Sequence, residues 1–292
     1  MDYDDLKQTG RDLILTDVRN FNFPDTLDCG QAFRWSDNRV LDNRTVENRA
    51  AECRPHCFSG VAFGRLLELE LDGDRLVMKN VSADEFDSVW KGYFEFDRDY
   101  SKLREELVFY GGEPMRKAVE FSPGLRLLRQ DPWEMLISFI LSQNSNIPRI
   151  RRMIASLCEA FGERLPCGAS AFPKPDALAG LSVEELAPVK TGYRAPYIID
   201  AAKQVAGGMF DINKLRHAST EEIGSALLKI HGVGPKVADC VLLFGFNRIE
   251  CYPMDVWMKR AMADAYPDGF PDEMKPIAGI AQQFLFHCYR TR

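Results

Sequence analysis

Six residues, His231-Gly232-Val233-Gly234-Pro235-Lys236, restrict the backbone more tightly than any other stretch of this chain. They lie between two runs with apolar positions at helical spacing, Ser225-Ala-Leu-Leu-Lys-Ile230 and Lys236-Val-Ala-Asp-Cys-Val-Leu-Leu243. Ile230, Val233, Val237 and Val241 are placed to form one shared seam. Gly232 and Gly234 permit a tight reversal that side chains would strain, and Pro235 suits the first helical position, where its missing N–H costs nothing. The pattern predicts a helix-hairpin-helix over about 222–244.

Such a turn presents backbone N–H groups at the positive end of the second helix, a cradle for one phosphate built from Gly232, Val233, Gly234 and Lys236. Because these donors are uncharged, DNA could be gripped even by a chain of formal net charge −6. A plain connector would use the same glycines; the flanking apolar pattern favours DNA. Lys236 meets the unfavourable end of the helix dipole. An amine held there and kept from water loses its proton more readily, and a neutral lysine is a nucleophile able to form a Schiff base at a carbonyl-like carbon. A lysine that only contacts phosphate is the alternative. In Tyr252-Pro-Met-Asp-Val-Trp257, Asp255 can cap the next helix. A carboxylate there could also stabilise positive charge on a sugar as its glycosidic bond breaks.

The surrounding sequence reads as α+β, an N-terminal antiparallel sheet domain (1–105) followed by an all-helical body (106–292) whose last helix packs back toward the first domain. Leu67-Glu-Leu-Glu-Leu71 alternates strictly, Asp72-Gly73 turns, and Arg75-Leu-Val-Met-Lys79 returns; Phe33–Trp35 and Val61–Phe63 are shorter strand candidates. Trp133–Leu141 is apolar nearly all round, which marks a buried helix. Ser182-Val-Glu-Glu185 and Ser219-Thr-Glu-Glu222 have capping-box form, and Pro276 opens a final helix through Tyr289. Charge is uneven: the first hundred residues carry 13 Lys/Arg against 21 Asp/Glu, the rest 24 against 22. Arg149, Arg151 and Arg152 cluster in that second part, as do Lys190, Arg194, Lys203, Lys214 and Arg216.

No apolar run reaches the length of a membrane span, and the acidic start MDYDDLKQTGRD is unlike a signal peptide. Eight scattered cysteines read as reduced thiols, and Cys53-Arg-Pro-His-Cys57 lacks the second pair a zinc site needs. The expectation is an intracellular monomer without a cofactor, in a bacterial cytoplasm or, for a eukaryote, the nucleus.

LLKIHGVGPKVADC followed by PMDVW resembles the helix-hairpin-helix DNA glycosylases, specifically the 8-oxoguanine DNA glycosylase/AP lyase family. Asp28-Cys-Gly-Gln-Ala-Phe-Arg-Trp35, Tyr93–Tyr100, Asp131-Pro-Trp-Glu134, Ser142-Gln-Asn-Ser-Asn-Ile147, Thr191-Gly-Tyr-Arg-Ala195 and Ala281-Gln-Gln-Phe-Leu-Phe286 follow in the family's order, over roughly residues 10–290.

The resemblance implies that Lys236 displaces the damaged base at C1′ and supports strand cleavage, assisted by Asp255. The partner is double-stranded DNA containing oxidised guanine, with the target base swung out of the stack. Asn144 would fill the vacated space, Arg149 and Arg194 would hold the opposite cytosine, and Tyr193 would wedge beside it. The Gly30 carbonyl would accept the proton that 8-oxoguanine carries on N7 and guanine lacks. Phe286 and Cys240 would sandwich the purine and Gln282 would read its Watson–Crick edge. A structural cation, none being catalytic, could sit on the carbonyls of Leu228, Ile230 and Val233. Trp257 stands where the animal enzymes have histidine, and Ser145 where they have a third asparagine. A glycosylase for alkylated or other bases, formamidopyrimidines among them, and a non-enzymatic helix-hairpin-helix DNA-binding protein are the alternatives. Lys236 argues against those of the first kind that hydrolyse with water, and Lys236, Asp255 and Asn144 together argue against the second. A single cysteine after Asp255 excludes the family's iron–sulfur cluster.

Overall fold

A computed structural model describes residues 2–38 and 56–291. Cys53, of the Cys53–Cys57 segment, lies outside them. Two compact units are present, Met1–Leu128 and Arg129–Arg292; residue 105, the expected divide, falls inside the helix Tyr100–Phe121 of the first unit.

The first unit is built on one six-stranded antiparallel sheet: β1 (Asp5–Thr9), β2 (Asp12–Thr16), β3 (Trp35–Asp37), β4 (His56–Ala62), β5 (Arg65–Asp72) and β6 (Arg75–Lys79), in the order β1-β2-β6-β5-β4-β3. The expected hairpin is β5–β6, closed by Asp72 opposite Arg75, and the alternation holds, since Leu67, Leu69 and Leu71 are buried while Glu68 is exposed. The shorter candidates are shifted: Phe33 and Arg34 precede β3, and Phe63 follows β4. The β1–β2 hairpin has no comparably strong signal in the sequence, although Leu13 and Leu15 alternate into the core.

Arg126 is the polar centre of this unit. Its fully buried guanidinium donates to the Asp2 carboxylate, the Glu95 carbonyl at 2.9 Å and the Asn20 carbonyl at 2.9 Å, and it lies 4.5 Å from the Tyr100 ring centroid. Nearby, Gln31 donates to the carbonyls of Thr26 (2.8 Å) and Arg126 (2.7 Å) and accepts from the Leu128 amide (2.9 Å). That clamp fixes the loop carrying Gly30.

The helical body of the second unit contains helices of eight or more residues: after α1 (Tyr100–Phe121, first unit) come α2 (Pro132–Ser142), α3 (Ile147–Phe161), α4 (Ala195–Ala206), α5 (Thr220–Leu227), α6 (Pro235–Phe244), α7 (Val256–Ala265) and α8 (Ala278–Thr291). α2 is the buried helix the sequence predicts, with Met135 through Leu141 all inside, and it packs against α3, α4 and α6. Asp131 starts it by accepting the Glu134 amide at 3.0 Å. Both expected capping boxes form, with different results. Ser219 and Glu222 cap α5. Ser182 and Glu185 exchange the same two bonds, but Pro188 has no N–H to continue an α-helix and only a 3₁₀ turn, Ala187–Val189, is formed after them. The final helix begins at Ala278, because Pro276 is wound into the 3₁₀ turn Asp272–Ile277 ahead of it. No helix among the described residues is long and apolar enough to cross a membrane.

Arg126→Leu leaves the buried Asp2 carboxylate without its charge partner, holding only the Asn20 side-chain amide and the Tyr100 amide among the described residues, and removing one partner of such a pair costs about 3–5 kcal/mol. Urea denaturation of this variant is expected to give a midpoint lowered accordingly; an unchanged midpoint would assign the stability of this unit to its apolar core alone.

Candidate active site and DNA interface

The hairpin forms as predicted between α5 and α6. Gly232 has φ +83°, and a Cβ there would lie 2.3 Å from a Tyr197 ring carbon. Glycine is required twice over, by conformation and by space. Gly234 differs from expectation. Its φ of −96° and ψ of 177° are open to any residue, and nothing lies within 4 Å of where a Cβ would be. Its missing side chain therefore leaves the backbone reachable from outside rather than relieving strain. Three contacts hold the turn from behind. The His231 amide donates to Asp200 at 3.0 Å, the Gln143 side chain donates to the Gly232 carbonyl at 3.0 Å, and the Tyr197 ring stacks edge-on to His231 at 4.7 Å.

Among the described residues no side chain caps α6, so the first amides of that helix have no side-chain acceptor. Lys236 is the second residue of that helix. Its Nζ lies 3.5 Å from Ser142 Oγ and 5.4 Å from the Phe139 ring centroid, and among the described residues it forms no ion pair. One turn along, the buried Cys240 thiol is pushed up to about 11, chiefly by burial; Lys236 opposes that shift, while Asp239 and Asp255 add to it. Lys236, Cys240 and Asp255 thus share one electrostatic neighbourhood.

Asp255 does cap α7: its Oδ1 accepts the Met258 amide at 2.8 Å. The bond holds the carboxylate in place through one oxygen. Trp257, in the first turn of α7, is exposed with the Arg260 guanidinium 5.4 Å from its ring centroid.

α8 starts close against α6. Gly279 donates to the Ile249 carbonyl at 2.7 Å, and Leu243 is 2.3 Å from where its Cβ would be. Gln282 and Phe286 lie three and seven residues further, on the helix face that Gly279 presents to α6. Gln282 is 5% exposed and its Oε1 is buried without a hydrogen-bond partner among the described residues. Such an atom costs about 1–3 kcal/mol when left unmade. Phe286 is half-buried, and Cys240 is buried within α6.

Asn144 follows the end of α2, exposed and at φ +46°, outside the region most side chains favour. Asn146 caps α3 by accepting the Arg149 amide at 3.0 Å, which fixes the start of the exposed Arg149 side chain. Tyr193 is 52% exposed, with its hydroxyl 3.4 Å from the Gln143 carbonyl. Arg194, its neighbour, is only 2% exposed. Four of its five donor hydrogens are spent on backbone: Nε (3.0 Å) and Nη2 on Gln143, Nη2 on Asn144 (3.2 Å) and Nη1 on Thr191 (3.1 Å). The Ile230 carbonyl accepts the Val233 amide at 3.0 Å, so a cation seated there would share that oxygen. Gly30 belongs to the first unit and has φ +92°. Ser142, Gln143, Tyr197 and Asp200 join the site without having been assigned a role from sequence; Ser142 and Gln143 open the segment that carries Asn144, a shared helical spacing of four links Tyr193 to Tyr197, and nothing local marks Asp200.

Comparison with known proteins bears on the family and the fold. Residues 13–136 match the family described as 8-oxoguanine DNA glycosylase, N-terminal domain, and residues 137–275 match the HhH-GPD superfamily base excision DNA repair protein family. A probable N-glycosylase/DNA lyase of Methanothermobacter thermautotrophicus is 32% identical over 68% of this chain and 71% of its own length. The N-glycosylase/DNA lyase of Saccharomyces cerevisiae is 36% identical over 58% of this chain, a match spanning about half (48%) of the yeast protein. The solved structure of a Clostridium acetobutylicum 8-oxoguanine glycosylase/lyase, in complex with double-stranded DNA containing cytosine opposite 8-oxoG, superposes with a TM-score of 0.88 at 32% identity, covering 100% of this chain and 99% of that one. With both family models laid end to end over the sheet unit and the hairpin, the chain belongs to the 8-oxoguanine DNA glycosylase/AP lyase family of helix-hairpin-helix base-excision enzymes.

Proposed function

We propose that this protein removes 8-oxoguanine from duplex DNA, opposite cytosine, and then cleaves the strand as an AP lyase. The observation that carries this reading is Lys236, an amine with no ion pair among the described residues, set at the uncapped start of α6 in the same electrostatic neighbourhood as Asp255. A lysine serving only to grip phosphate would have no use for a fixed carboxylate beside it. In the proposed reaction the amine's lone pair forms a bond to C1′ while the C1′–N9 bond breaks. The bonding electrons leave with the purine, which takes up a proton, and the amine gives up its own. Opening of the sugar gives a Schiff base at C1′. Loss of a proton from C2′ then expels the 3′-phosphate by β-elimination. Asp255, its Oδ1 held by the Met258 amide, stabilises the positive charge on the sugar through its other oxygen.

The free α6 amides and the bare backbone at Gly234 support a phosphate seat that positions the target nucleotide. The unpartnered Gln282 Oε1 supports a purine edge as its missing partner, since the N1–H of the lesion is a donor. Cys240 and Phe286 are assigned to the purine faces, and the Gly30 carbonyl to N7–H, which only the oxidised base carries. Asn144, Tyr193, Arg149 and Arg194 are assigned to the gap and the opposite cytosine. The carbonyls of Leu228, Ile230 and Val233 are assigned to a structural cation.

Borohydride is expected to trap the wild-type protein covalently on 8-oxoguanine:cytosine duplex, because a Schiff base is reducible, and Lys236→Gln is expected to abolish the adduct; trapping by that variant would remove lysine from the mechanism. Asp255→Asn keeps a side-chain oxygen for the Met258 amide and so retains the cap. It should therefore bind DNA normally yet release base about 100-fold more slowly, the typical effect of losing one charge-stabilising group. Single-turnover rates equal to wild type would reduce Asp255 to a helix cap.

A further inference from the structure

Three successive residues at the end of α2 connect parts of the molecule assigned to different tasks. Ser142 Oγ lies 3.5 Å from the Lys236 amine and is itself anchored on the Phe139 carbonyl at 2.8 Å. Gln143 reaches in two directions. Its side-chain amide has two hydrogens, and both are committed, to the Ile140 carbonyl at 3.2 Å and to the Gly232 carbonyl at 3.0 Å. Its own backbone carbonyl accepts from Arg194 Nε and Nη2 and faces the Tyr193 hydroxyl. Asn144 follows directly, at a positive φ, and its carbonyl also accepts from Arg194.

We infer that Gln143 is a positioning residue that transmits the identity of the opposite base to the hairpin carrying Lys236. This rests on the function proposed above. A cytosine that takes more than the one unspent donor of Arg194 draws on donors now divided among Gln143, Asn144 and Thr191, three of the four being on Gln143 and Asn144, so its arrival changes the pull on the Gln143 carbonyl. A side chain with both amide hydrogens fixed passes that displacement to the Gly232 carbonyl rather than absorbing it by rotation. Gly232 is wedged against Tyr197 and lies four residues before Lys236, with only Val233, Gly234 and Pro235 between. With Asp200 and Tyr197 holding the other side of the turn, a displacement of Gln143 changes the tilt of the hairpin about those contacts, and with it the amine's approach to C1′.

The test is single-turnover base release from 8-oxoguanine paired with each of the four bases, by wild type and by Gln143→Met, which keeps length and loses the donor. Of the hydrogen bonds the substitution removes, one reaches the hairpin, that from Gln143 to Gly232, so the preference for cytosine over adenine is expected to narrow about fivefold, the worth of one net hydrogen bond, with affinity for the cytosine duplex changed less than twofold. A purely structural role would lower all four rates by one factor, and that outcome overturns the inference, as does an unchanged preference. Gln143→Glu, which likewise cannot donate to Gly232, is measured alongside, and thermal melting identifies which variants are folded. Wild-type protein that releases no 8-oxoguanine from any duplex would overturn the function itself; wild type that releases it with no opposite-base preference overturns only the coupling.

Discussion

Gly232 can carry no side chain. Its φ of +83° already disfavours one, and the Tyr197 ring occupies the place a Cβ would take. The arrangement of the hairpin depends on that contact. Tyr197 comes from α4, Asp200 one turn later holds the His231 amide, and Gln143 at the end of α2 holds the Gly232 carbonyl. A six-residue turn is thus fastened to two other helices by one aromatic face, one carboxylate and one amide. A reversal between helices would otherwise be the most mobile part of such a body. Here it is fixed, and Lys236, two residues beyond Gly234, inherits the position.

The same economy of placement recurs at Asp255, where structure and chemistry draw on separate oxygens of one carboxylate. Capping by Oδ1 orders the start of α7 and sets the direction of Oδ2 without consuming it. α2 serves as the common base. It is buried along its length, packs against α6 through contacts that include the stacked Phe139 and Phe244 rings at 5.4 Å, and ends in the residues that meet Lys236, Gly232 and Arg194. A rigid apolar helix is a better origin for three polar contacts than a loop, because small displacements at its end are not absorbed along it.

Sequence is legible in this chain where local rules govern. The β5–β6 hairpin arises from Leu67-Glu-Leu-Glu-Leu71 and its Asp-Gly turn, and the hairpin at 231–236 arises from its glycines and proline. The Ser182 box shows the limit of a local rule: both predicted bonds form, yet Pro188 stops an α-helix from growing beyond them. Gly234 shows another, since glycine there serves access and not conformation. The illegible part is long-range. Asp200 lies 31 residues from His231, and Gln143 lies 89 residues from Gly232. Asp200 reads as an ordinary surface polar residue until the helices are packed, and although Gln143 lies in the segment that resembles the family, nothing there reveals that its side chain reaches Gly232. Arg194 likewise reads as one basic residue in a cluster, and only packing reveals its guanidinium turned inward onto carbonyls.

The polar groups of the site fall into two energetic classes, and each class suits a different part of recognition. On the side assigned to lesion and phosphate, the α6 amides have no side-chain cap, Lys236 has no ion pair among the described residues, and Gln282 Oε1 is buried without a partner. Contacts made there replace missing interactions, so their full value is available as binding free energy. On the side assigned to the opposite base, Arg194 has already spent four of its five donors within the protein. In the proposed complex, Arg194 bonds to cytosine beyond its one unspent donor would be exchanges that add little affinity but change geometry, because the released acceptors belong to Gln143, Asn144 and Thr191. Under the proposed function, affinity and discrimination therefore fall to different groups: the lesion side would hold the DNA, and the opposite-base side would adjust the machinery that acts on it.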